Sequence, residues 1–159
     1  MVFVVAAFDA YVHQKVLERL ESGFPNPYPE RLVELAKELE RENPSVIYDT
    51  AHAADPKKHL VGLVDAALHR KTFQHPGAVE DAFELIGVDD IWSRVASRVQ
   101  KDEGRLRANI AKFIKRRDQI VHESDFDNSA GRVRSIQRWE VEWCTELFEE
   151  VVLAMDVVC

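Results

Sequence analysis

Apolar residues recur every three or four positions along almost the whole chain, and that spacing dominates what it can fold into. Residues 3–22 place Val5, Phe8, Val12, Val16 and Leu20 on one side of a helix. Gly23 and the run Pro25-Asn26-Pro27-Tyr28-Pro29 break it, and Pro29 is expected to open a second helix over 29–42. Pro44 ends that one. Asp55-Pro56 reads as an N-cap followed by a first-turn proline, and Leu60, Leu63, Val64, Ala67 and Leu68 repeat at helical spacing to about residue 70. Pro76 opens a short helix to Ile86, stopped by Gly87. Asp89 is expected to cap another over 90–99, carrying Ile91, Trp92 and Val95. The next helix covers 103–123. Residues 124–131 read as a loop. A last helix over 133–158 lines up Ile136, Trp139, Trp143, Leu147, Val151 and Met155. Strand-like alternation is lacking outside the apolar start. The expected class is all-α, most simply an antiparallel helical bundle with additional short helices, in a single domain over residues 1–159.

Bulk properties narrow the function classes. The chain has 159 residues, 46% apolar and 31% charged, which suits a globular fold with a proper core. Its formal charge of −7 excludes a generally basic nucleic-acid coat, so any nucleic-acid contact must be local. No apolar run approaches the roughly 18 residues of a membrane span. Asp9 interrupts the apolar opening and no basic segment precedes it, which argues against a signal peptide. That opening is either central to the bundle or the cut edge of a longer protein. Cys144 and Cys159 would stand about 22 Å apart along one helix, too far to bridge, so a cytoplasmic setting is expected.

The chemistry concentrates in Lys115-Arg116-Arg117-Asp118-Gln119-Ile120-Val121-His122-Glu123. Leu106, Ile110, Phe113, Ile114 and Val121 form the apolar stripe of its helix, and Arg117 falls in the middle of it. An arginine there needs a carboxylate partner or an anionic ligand. Asp118 and His122, four apart, share a face, so the carboxylate can orient the imidazole for proton exchange. Arg117 and His122 stand five apart, about 140° around a regular helix. Either the helix distorts at its end or two copies assemble the site, which predicts a dimer. Between residues 105 and 118 lie Arg105, Arg107, Lys112, Lys115, Arg116 and Arg117 against Asp118 alone, a net +5 suited to phosphate.

Arg117-x4-His122, with polar Asp118 after the arginine, resembles the HEPN superfamily (higher eukaryotes and prokaryotes nucleotide-binding). Arg116-x5-His122 also meets that family's spacing, with Arg117 in the polar place. The longer string from Arg116 through Asp125, then a glycine-containing loop and a long final helix, resembles the RiboL-PSP-HEPN branch. Relative to some members, a leading helix before residue 3 is missing. The resemblance implies a metal-independent endoribonuclease, often toxin-like, with a composite site at a homodimer interface and no cofactor. RNA would be the substrate, and an antitoxin or regulatory protein a partner. It implies catalytic roles for Arg117, His122 and Asp118, phosphate contact by Arg116, Lys115 and Lys112, and products ending in a 2′,3′-cyclic phosphate and a 5′-OH. Two other readings stay open: a non-catalytic module of the same fold that binds RNA, nucleotide or protein, and an interaction protein whose Arg117 pairs with an acid such as Asp9 or Asp65.

Other motifs fail. The zinc-protease pattern starting at His122 has Phe126 where its second histidine must stand. A calcium loop from Asp125 would have Ala130 at its glycine position and Ile136 at its final glutamate. Glu123 and Asp125 read as loop and cap residues. His13, His52, His59, His69 and His75 show no metal-ligand spacing, so no metal is expected. Trp92, Trp139 and Trp143 fall on apolar stripes and are expected in the core.

Overall fold

The structure, a computed structural model, describes residues 1–122, 125–127 and 131–159. Among them are eight helices and one two-stranded ladder, so the fold is all-α. The helices are α1 (Val2–Ser22), α2 (Glu30–Glu42), α3 (Val46–His52), α4 (Pro56–Leu68), α5 (Pro76–Glu84), α6 (Ile91–Arg98), α7 (Glu103–His122) and α8 (Arg138–Val158). Strands β1 (Phe126–Asp127) and β2 (Arg132–Val133) pair antiparallel, Phe126 opposite Val133. No helix among the described residues is long and apolar enough to cross a membrane.

The chain packs as two compact units. One comprises Met1–Tyr11, Gln74–Pro76 and Asp90–Cys159, the other Val12–Phe73 and Gly77–Asp89. In the first, Val5 and Phe8 of α1 are buried, as are Ile91, Trp92 and Val95 of α6, Leu106, Ile110 and Phe113 of α7, and Leu147, Phe148, Val151 and Met155 of α8. The Phe8 and Phe148 rings meet edge to face, their centroids 5.0 Å apart, an arrangement that aligns ring edge with ring face. The Trp92 indole N–H is buried and donates to the Pro76 carbonyl at 2.8 Å, which removes the cost of enclosing both groups. In the second unit, Val12, Val16 and Leu20 share a core with Leu32 and Leu35 of α2, Val61, Val64 and Leu68 of α4, and Phe73, Val79 and Phe83. Gly87 stops the α5 segment at φ +75, a conformation open to glycine and strained for most other residues.

Several boundaries differ from the expected ones, each for a local reason. Asp55 caps α4 as anticipated, accepting from the Lys58 N–H at 3.0 Å. Pro29 stands before α2 rather than in it, because its ψ of 146° is extended. Asp90, not Asp89, holds the cap position of α6, at φ 55 and with no side-chain cap bond. Helix α3 was not anticipated: its seven residues bury only Val46, too little for a periodic signal. The final helix starts at Arg138 rather than 133. Arg132 and Val133 are held in the ladder, and Gln137 with Glu140 forms a capping box that starts the helix there. Ile136 therefore lies off the helix and exposed, and Trp139 is 58% exposed rather than buried. Val121, at the end of the α7 stripe, is also exposed. The loop expected over 124–131 instead contains β1, while 123, 124 and 128–130 lie outside the described residues. The calcium-loop position Ala130 and the loop assignment of Glu123 fall there.

Candidate functional site

Helix α7 starts where Asp102 accepts the Arg105 backbone N–H at 2.8 Å. Leu106, Ile110, Phe113 and Ile114 bury one face, and Arg117 continues that face into the interior. Its side chain is only 11% exposed. Its guanidinium pairs with the adjacent Asp118, Nη1 to Oδ1 at 3.0 Å, and Asp118 is itself half exposed. Arg117 Nε is buried and has no hydrogen-bond partner among the described residues. Leaving a donor of a charged group enclosed and unpaired costs on the order of 1–3 kcal/mol.

Arg116, expected to meet phosphate, is engaged within the chain instead. Its Nη1 donates to Asp125 Oδ1 and its Nη2 donates to Asp125 Oδ2 at 3.0 Å. Both side chains are largely buried, 14% and 11% exposed. Asp125 sits at φ 56, donates its N–H to the Gln119 carbonyl at 3.0 Å and accepts from the Arg134 N–H at 2.8 Å. One residue thereby ties the end of α7 to the ladder. Arg107 is paired with Glu103 at 3.3 Å. The basic cluster is consequently less free than its net +5 suggests.

Lys112 and Lys115 are exposed. Lys112 Nζ lies 5.0 Å from the Trp143 ring centroid, within cation–π range. Trp143 also meets Phe113 edge to face at 4.8 Å and stacks on Trp139 at 6.5 Å and 23°. The exposed Trp139 face adjoins this basic stretch in a way that core-directed reading of the sequence missed.

His122 is the last residue of α7 and is exposed. The helix stays α-helical to that point. Asp118 is paired with Arg117, and no hydrogen bond joins it to His122 among the described residues. Arg117 and Asp118 are thus brought together, while His122 is exposed and hydrogen-bonded to neither among the described residues.

Concave surfaces lie elsewhere. A groove of about 350 Å³ is lined by Ala36, Leu39, Val46, Ile47, Leu60 and Leu63. An adjoining one of about 290 Å³ takes in Phe24, Tyr28 and Leu32. Neither includes Arg117, Asp118 or His122. The second unit also gathers His13, Asp65 and His69, with His13 Nε2 2.8 Å from Asp65 Oδ1. Half of that cluster was readable, since Asp65 and His69 are four apart at the end of α4, His69 being its C-cap. His13 is 52 positions from Asp65, and no sequence spacing announces it. Comparison with known families, curated proteins and solved structures gave no match.

Proposed function

We propose that this chain is a metal-independent endoribonuclease of the HEPN type, acting on RNA as a homodimer. One observation carries the reading: a buried guanidinium, Arg117, whose Nε lacks an acceptor. A phosphodiester oxygen supplies that acceptor, and the guanidinium then stabilises charge that builds on phosphorus as the ribose 2′-OH attacks. A bond forms from O2′ to phosphorus and the bond to O5′ breaks. An imidazole takes the 2′-OH proton and an imidazolium returns one to the leaving O5′, the role assigned to His122. Because α7 is regular through His122, Arg117 and His122 of one chain diverge by about 140°. A second copy supplies the complementary half. Lys112 and Lys115 contribute phosphate attraction, and Arg116 acts through its pair with Asp125.

The test is cleavage of a labelled RNA with product ends identified. His122→Ala should slow cleavage by about 10²–10⁴-fold. Its circular dichroism should not change, since the side chain is exposed. EDTA should leave the rate alone. Undiminished cleavage by His122→Ala removes that residue from the chemistry. The pairing of Arg107, Arg116 and Arg117 with in-chain acids favours a second reading, a non-catalytic RNA- or partner-binding module. Salt-dependent RNA affinity with no product would select it.

A further inference from the structure

We propose that His13, Asp65 and His69 form a binding site for a divalent transition-metal ion, Zn²⁺ above all. The proposal does not rest on the ribonuclease reading. His13 comes from α1, Asp65 from α4, and His69 is the C-cap residue of α4, one turn beyond Asp65. Each residue offers one ligand atom, and no two of these atoms are more than 4.8 Å apart. His13 Nε2 is 2.8 Å and His69 Nδ1 3.0 Å from the same carboxylate oxygen, Asp65 Oδ1. Tetrahedral Zn²⁺ with ligands near 2.0–2.1 Å sets them about 3.4 Å apart. The two separations from Asp65 Oδ1 are shorter than that by about 0.4–0.6 Å, so a bound ion replaces these hydrogen bonds as the side chains draw apart, and His69 Nδ1 also gives up its contact with the Asp65 backbone carbonyl at 3.0 Å.

The ligand set is chemically selective. Two imidazoles and a carboxylate suit zinc and its neighbours, whereas magnesium and calcium favour all-oxygen sites. His13 is pre-oriented: its side chain is 18% exposed and its ring packs edge-on against Phe73 at 6.2 Å and His69 at 4.4 Å. His69, 68% exposed, leaves one side open to water for the fourth position. Three protein ligands plus water is the open arrangement of a zinc site that can exchange its last ligand.

The experiment is a titration of the untagged full chain with Co²⁺, read by the visible absorption of tetrahedral cobalt, then displacement with Zn²⁺. One equivalent should saturate the signal, and Zn²⁺ should abolish it. His69→Ala and Asp65→Asn should each weaken binding by at least about 100-fold, since even groups behind the ligands cost up to that much. His52→Ala, an exposed histidine on α3, should bind as the parent does. The exposure of His69 makes its variant a safe folder, checked by circular dichroism. Binding that survives His69→Ala, or no tetrahedral cobalt spectrum in the parent, overturns the proposal. RNA cleavage plays no part in the readout, so the two readings fail separately.

Discussion

Cutting the pair between Arg116 and Asp125 should destabilise the first unit by several kcal/mol, about 3–5 from the pair itself. Asp125→Ala leaves the Arg116 guanidinium with its side chain 86% enclosed and without its carboxylate. Breaking a buried pair from one side costs about 3–5 kcal/mol. Alanine also inherits the left-handed backbone at φ 56, adding about 1 kcal/mol that Asn would largely avoid. For a chain this long, each kcal/mol moves the melting midpoint by about 2–4 °C, so Asp125→Ala should melt about 8–24 °C lower. Asp125→Asn retains an acceptor and a tolerant backbone and should fall between Ala and the parent. The discriminating variant removes both charges, Arg116→Leu with Asp125→Asn. It should recover most of the lost stability, because no uncompensated charge stays enclosed. Urea unfolding followed by circular dichroism measures these three and Arg116→Leu alone. A loss below about 1 kcal/mol for Asp125→Ala, or a double variant no better than the sum of its singles, would refute the reasoning.

Trp92→Phe should lower stability by about 1–3 kcal/mol, because the Pro76 carbonyl loses its buried donor; an unchanged urea midpoint would show the bond to be dispensable. Glu84 is held above the ordinary carboxyl range, first by burial and then by the nearby Asp81 charge. A carboxyl raised in the folded state binds its proton more tightly there than when unfolded. Its charged form therefore opposes folding at neutral pH, and that opposition fades as pH falls through the folded value. Glu84→Gln should raise the melting midpoint at pH 7.5, with the gain disappearing by about pH 4; a gain that persists in acid would contradict the assigned cause.

Features settled within a few residues were the ones legible in advance. The Asp55 cap needs only Lys58, and the stripe of α7 needs only its own periodicity. Arg117 on that stripe was correctly read as enclosed for the same reason. The start of α8 was misplaced because Val133 obeys a partner, Phe126, seven residues back in the chain. Trp139 stands in the first turn of α8, ahead of the buried run of that helix, which begins at Cys144, and is exposed although it is apolar. Short α3 carried too few core positions to leave a period.

Helical class and the address of a buried cation were thus written in periodicity, since a backbone that satisfies its own hydrogen bonds every fourth residue leaves a visible stripe. Which acid meets which base was not. Arg116 had several carboxylates within reach in sequence and took Asp125, whose left-handed backbone is bonded to the Gln119 carbonyl of α7. His13 finds Asp65 only after two helices pack. Charge and ligation depend on a few ångströms between side chains, and only the packed chain brings residues half a hundred positions apart within that range.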